Sequence, residues 1–171
     1  KNVKKENRIS TKGIEVGHIF YFGDKYSKPL NCLVDLPEGK KATVKMGSYG
    51  IGISRLVGAI IEAKFNNNVM NWPKSVSPFT AVIIPSINKN NSKNLEKAHK
   101  IYNELKEEKI DVLLDDVDEN ISAKFKKHDL IGIPYQIIIG AKSEDNKFEF
   151  KEVGKEVEML SLKEIKQKIK K

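Results

Sequence analysis

Gly47-Ser48-Tyr49-Gly50-Ile51-Gly52-Ile53-Ser54-Arg55 joins an apolar stretch to a periodic segment through three glycines. Downstream, apolar Ile53, Leu56, Val57, Ile60 and Ile61 recur at the spacing of one buried helix face, so the spacing predicts a helix from about Ile53 to Phe65. Arg55 then sits in its first turn. Of 31 Lys+Arg, only Arg8 and Arg55 are arginine. Arginine is a planar fork that grips a phosphate or carboxylate with two bonds, where lysine is a point charge. A cation is disfavoured at a helix N-terminus. An anion, such as a nucleotide phosphate, would resolve the conflict. Gly50 and Gly52 permit close backbone approach and positive φ, and such a junction can hold a flat ring or phosphates. No Gly-Lys-Ser/Thr follows, which excludes a P-loop. The stretch before it does not open a βαβ unit, which excludes a dinucleotide fingerprint. Spacing alone leaves a nucleotide site and a tight turn both open.

Upstream, Ile14 to Phe22 reads as a strand, Asn31 to Leu36 as a second and Ala42 to Met46 as a third, separated by turn signals at Gly23-Asp24, Lys28-Pro29 and Pro37-Glu38-Gly39. These form an antiparallel sheet feeding the glycine segment. Residues 1–12 read as disordered or as a truncated linker. Downstream, the polar run Asn66 to Asn71 and the breakers Trp72-Pro73 and Ser77-Pro78 mark a boundary. Strands and helices then alternate: strand 80–84, helix 92–107, strand 111–114, helix 121–130, and strands 135–140 and 147–153. Ser161-Leu162-Lys163-Glu164 is a capping box opening a last amphipathic helix. The fold class is therefore α+β up to residue 77, and α/β with a mixed sheet flanked by helices from 78 to 171. No internal repeat is present.

The composition excludes several classes. Hydrophobic residues make up 39% and charged residues 32% of the chain, enough for a modest core under a solvated surface. No apolar run is long enough to span a bilayer, and the polar N-terminus lacks a signal-peptide core. One cysteine, Cys32, excludes an internal disulfide framework and a cysteine-rich zinc site. It reads as a small buried residue. A cytoplasmic location is expected. The net charge of +8 is uneven: residues 1–77 hold 13 Lys+Arg against 6 Asp+Glu (+7), and residues 78–171 hold 18 against 17 (+1). His18 lies in the first strand, with Glu15 on its opposite face if the strand is regular. His99 and His128 read as exposed on polar helix faces. Asp115, Asp116, Asp118 and Glu119 read as a solvated loop with a helix N-cap rather than a metal site, and no metal-ligand spacing is present.

Several segments together resemble one family. "GIEVGHIFYFGDKYS" (Gly13 to Ser27), "MGSYGIGISRLVGAIIEA" (Met46 to Ala63), "WP…SPF" (Trp72 to Phe79) and "LLDD…KF…DLIGIP" (Leu113 to Pro134) follow the order found in bacterial-type prolyl-tRNA synthetases. The first two are specific to prolyl enzymes; the last is shared with histidyl, threonyl and glycyl relatives. The resemblance implies that "GIGISR" is the third signature motif of a class II synthetase. Arg55 is then the catalytic clamp on the ATP γ-phosphate, and Gly50 and Gly52 face adenosine. His18, Ser48 and Gly50 line the proline pocket; many relatives carry cysteine where Ser48 stands. It implies ATP-dependent proline activation and transfer to tRNA-Pro, with Mg2+ accompanying ATP and a homodimer for the full enzyme. Residues 78–171 resemble the anticodon-binding domain, with Asp116, Lys124, Phe125 and Asp129 as contacts to the two anticodon guanines. Two departures stand out: Val117 where arginine is frequent, and Ile121-Ser122-Ala123 where relatives have proline-glycine before the lysine.

The first two class II motifs are not in this sequence. The expectation is a fragment, inactive alone, holding the end of a catalytic domain (13–77) and a whole anticodon-binding domain. Its half-sheet should expose Phe20, Phe22 and Val57. The competing readings are a non-catalytic tRNA-binding or accessory module, and another class II enzyme sharing the last domain.

Overall fold

A computed structural model describes residues 3–87, 93–143 and 146–170. The chain divides into two compact units, one up to Ile60 and one from Ile61. This division is earlier than the expected boundary after residue 77.

In the first unit, β1 (Gly17–Gly23) follows an extended lead-in that carries one short helical turn at Lys5–Asn7. β2 (Leu33–Asp35) and β3 (Lys41–Thr43) form a separate antiparallel hairpin. β4 (Met46–Ile51) pairs antiparallel with β1, with His18 opposite Gly50 and Phe20 opposite Ser48. The glycine segment is therefore strand, not loop. Glycines fit here because the backbones run close: a Cβ at Gly17 would lie 3.2 Å from the Gly50 carbonyl, and one at Gly47 3.2 Å from that of Phe20. Neither Gly50 nor Gly52 has positive φ. α1 (Ile53–Lys64) follows as read, but its apolar face buries no residue. Phe20 and Val57 are exposed as expected, whereas Phe22 is half-buried against Tyr26, their rings edge to face at 5.2 Å. Cys32 is exposed, contrary to the reading as a buried residue. Among the described residues of this unit only Ser27 is buried, its hydroxyl donating to the Val44 carbonyl.

The second unit begins in the last turn of α1, and a tight hairpin follows, β5 (Phe65–Asn66) and β6 (Val69–Met70). Asn67 and Asn68 take φ of 50° and 59°, the left-handed pair that a two-residue turn of this hand requires. What reads as a polar spacer is thus structured. The five strands β7 (Ala81–Pro85), β8 (Val112–Leu114), β9 (Tyr135–Ile139), β10 (Lys147–Glu152) and β11 (Val157–Ser161) form one mixed sheet in the order β11-β10-β9-β7-β8. β7 is parallel to β8 and β9; β10 is antiparallel to β9 and β11. β11 was not expected from sequence. α2 (Lys93–Glu107) and α4 (Leu162–Ile169) pack on one sheet face, around Ala81, Ile83, Ile137, Phe150 and Ile165. Ser92, expected to begin α2, lies outside the described residues. α3 (Ile121–Ile131) packs on the other face, against Val82, Ile84 and Ile133. The alternation along β7 sends odd residues to one core and even residues to the other. Each fully buried isoleucine here contributes about 1.5–3 kcal/mol.

Both ends of α3 are fixed. The Asn120 side chain accepts from Ser122 N at 2.8 Å. Gly132 ends the helix in the left-handed region at φ 78°, where a Cβ would fall 2.4 Å from the Met70 carbonyl. Met70 is buried, and the Trp72 indole N–H donates to the Ile131 carbonyl at 2.8 Å. Residues 69–72 thus pack with α3. Ser161 and Glu164 form the expected capping box at α4.

Candidate functional site

Two sites emerge, one in each unit. In the first, the period-two register puts His18 and Phe20 on the same face of the β1–β4 pair as Ser48 and Gly50. The His18 and Phe20 rings stack at 4.1 Å. Glu15 precedes the strand, so the expectation that it faces away from His18 does not hold. Its carboxylate lies 3.6 Å from His18 Nδ1 and 3.6 Å from Arg55 Nη1. Arg55 also donates to the Glu15 carbonyl at 2.8 Å. Glu15 thereby supplies an anion beside the cation in the first turn of α1, a role the sequence did not suggest for it. A Cβ at Gly52 would crowd Arg55 Cβ at 3.1 Å. Glu15, His18, Tyr49, Gly50 and Ile51 line an open groove of about 720 Å³. The Arg55 side chain keeps 57% of its surface exposed, so an anion can still reach its fork while Glu15 holds Nη1.

The second site lies at the C-terminal ends of β7 and β9. A cavity of about 520 Å³ has apolar walls from Ile121, Phe125, Ile138 and Val157, and polar groups from Ser86, Lys142, Glu149 and Lys151. Lys142 Nζ lies 4.0 Å from the recessed Glu149 carboxylate. Lys151 reaches out of the cavity to Asp129, at 2.8 and 3.0 Å, and Asp129 also accepts from Gln136 at 2.9 Å. Of the four expected contacts, Phe125 lines the cavity and Asp129 adjoins it through Lys151. Asp116 is exposed on the loop after β8 and is not among the lining residues.

Lys124 is a correction. It is 0% exposed, and its ammonium donates to the carbonyls of Asp115 at 2.8 Å and Pro85 at 3.3 Å. A residue so enclosed offers nothing to a base. His128, read as exposed, is also buried, with Nε2 2.6 Å from Asp115 Oδ2. Asp115 is not solvated either. Burial pushes its carboxyl up, but bonds to Lys127 and His128 and the Lys124 charge outweigh burial and hold it below the usual carboxylate range. Burial pushes the His128 imidazole down, and Asp115 does not fully offset this. With Asp115 ionised and acceptor-only, Nε2 carries the proton and donates. The helix N-cap is Asn120 rather than an aspartate.

Ser86, Lys142, Glu149 and Lys151 were missed from sequence. β10 alone carried a signal: Phe148 and Phe150 alternate with Lys147, Glu149 and Lys151, so one face is core and the other polar.

Residues 80–171, more than half the chain, match the family described as "Anticodon binding domain". The chain belongs to this anticodon binding domain family. Its similarity to known proteins extends beyond that domain. It is 61% identical to the proline–tRNA ligase of Pelagibacter ubique (strain HTCC1062) over 167 residues, 96% of this chain and 38% of that protein. It is 50% identical to the proline–tRNA ligase of Wolbachia sp. subsp. Brugia malayi (strain TRS) over 82% of this chain and 32% of the relative. The Rickettsia bellii (strain OSU 85-389) protein of the same name is 53% identical over 80% of this chain and 32% of the relative. This anticodon binding domain protein thus spans about a third of the length of the curated relatives it matches. Among the described residues no helix is long and apolar enough to cross a membrane, and no group of three or more His, Cys, Asp or Glu converges as a metal cluster.

Proposed function

We propose that this chain supplies the phosphate-clamping segment and the anticodon-reading unit of a proline–tRNA ligase. The supporting observation is the gathering of His18, Ser48 and Gly50 on one strand-pair face, with Arg55 leading the next helix and joined to His18 through Glu15. The reaction joins the proline carboxylate to the α-phosphate of ATP, forming prolyl-adenylate and pyrophosphate, and then transfers the prolyl group to a ribose hydroxyl of tRNA-Pro with release of AMP. Arg55 holds the γ-phosphate, and Gly50 and Gly52 leave bare backbone beside adenosine. Such catalysis is positioning and charge stabilisation. Glu15, the carboxylate beside Arg55, is the residue that would hold a Mg2+ ion accompanying ATP, which would screen the phosphate charge. A second copy of the full protein completes the expected assembly.

In the second unit, the 520 Å³ cavity receives a base of the anticodon. Phe125 offers a stacking face, worth about 1–3 kcal/mol per base. The Glu149 carboxylate can accept from the N–H groups on guanine's Watson–Crick edge, and the lysines meet phosphate or carbonyl oxygens.

The test is a chimera in which this chain replaces the matching 167 residues of the Pelagibacter ubique relative. The chimera should catalyse proline-dependent ATP–pyrophosphate exchange. Arg55→Ala should slow it by at least a hundredfold, since a lost charge-assisted contact in the transition state costs about 3 kcal/mol or more. Exchange that is active but indifferent to Arg55→Ala removes the clamp. A folded chimera that binds tRNA without exchange favours a non-catalytic module.

A further inference from the structure

Buried lysine is rare, because an ammonium taken from water must find partners. Lys124 finds them at two strand ends. Pro85 is the last residue of β7, and Asp115 follows β8; their carbonyls accept from one Nζ at 3.3 and 2.8 Å. The Asp115 carboxylate adds a charge 3.6 Å away. One side chain thus ties α3 to the ends of two parallel strands.

Both ends of the Lys124–Pro85 bond are one residue from a cavity wall. Ser86 follows Pro85, Phe125 follows Lys124, and both line the cavity. Ser86 N donates to the Ile139 carbonyl at 2.8 Å, which extends the tie to the end of β9, where Gly140 also lines the cavity. We infer that Lys124 is a positioning residue for base selection: it fixes Phe125 against Ser86 and so sets the width of the slot that receives the base. It acts without touching the ligand. This inference rests on the reading of the cavity as an anticodon site.

The fold should survive removal of the ammonium. Without Lys124, Asp115 still has Lys127 at 2.9 Å and His128 at 2.6 Å. Methionine is unbranched and adaptable, so Lys124→Met fills much of the same space.

The experiment measures binding of the intact chain to an RNA hairpin carrying a proline anticodon, and to the same hairpin with one anticodon guanine changed to adenine. The wild-type chain should prefer guanine. In folded Lys124→Met the preference should fall by about tenfold, while the salt dependence of binding, which counts phosphate contacts, stays unchanged. A merely structural lysine would lower the folded fraction and weaken both hairpins equally, leaving their ratio intact; that result overturns the inference. If Lys124→Met does not fold, Lys124→Arg decides. Its wider fork keeps the charge but needs more room between the two carbonyls, so the ratio should shift by at least threefold; an unchanged ratio is fatal. A wild-type chain with no guanine preference removes the anticodon reading, and the inference with it. A wild-type preference that survives the substitution removes the inference alone.

Discussion

Mild acid should weaken this fold through His128. The native imidazole titrates below the ordinary 6.5, because it is buried, while Asp115, Lys124 and Lys127 face it. The unfolded chain binds the proton more readily. Stability is therefore complete above pH 6.5 and declines as pH falls below it, by at most about 1.4 kcal/mol per pH unit. The Asp115 carboxyl is held below its ordinary 3.8, so its contribution persists above 3.8 and is lost only in stronger acid. Denaturant titrations at pH 7.5 and 5.5 should show a lower unfolding free energy at 5.5. In His128→Gln that difference should shrink; an unaltered difference would place the proton elsewhere. Residues of this kind were poorly legible in sequence. Lys124, Lys127 and His128 look like a solvated helix face, because nothing local reveals that Asp115 lies beneath them. Arg55 was legible for a compositional reason, as one of two arginines among 31 cations. Its partner Glu15 was not, since a regular strand would have turned it away from His18.

For the elements, local chemistry and pairing contributed differently. α2 and α4 were legible because apolar periodicity and a capping box are written in consecutive residues. β4 was not, because its glycines lower strand propensity and only the close approach of β1 explains them. β5 and β6 hid in an asparagine run whose left-handed turn is a backbone property. β11 is a largely exposed edge with Glu158 as its one charged residue, so it shows no alternation of core and polar positions to read. α3 yields the clearest tests. Gly132→Ala should destabilise the protein by about 2 kcal/mol or more, since it forces a side chain into the left-handed region and against the Met70 carbonyl. Asn120→Ala should cost about 1 kcal/mol through its lost cap. Calorimetry of the two variants checks the order; equal losses would contradict the packing of Met70 at the helix end.

At the scale of the whole molecule, the division at Ile60/Ile61 separates two kinds of folding. The second unit has cores on both faces of its sheet. The first buries only Ser27 among its described residues and leaves Ile19 82% and Tyr49 84% exposed. Residues 61–171 alone should unfold in one cooperative transition by circular dichroism. Residues 1–60 alone should show none. A sharp transition in the shorter piece would mean that it organises a core not seen here.

The second unit carries the chain's sole tryptophan, with an optical consequence. Trp72 belongs to the second unit, and its indole is bonded to the carbonyl of the last α3 residue. Its emission is an intrinsic gauge of that helix end. Light absorbed at one residue can therefore report the loosening of the second unit without any label.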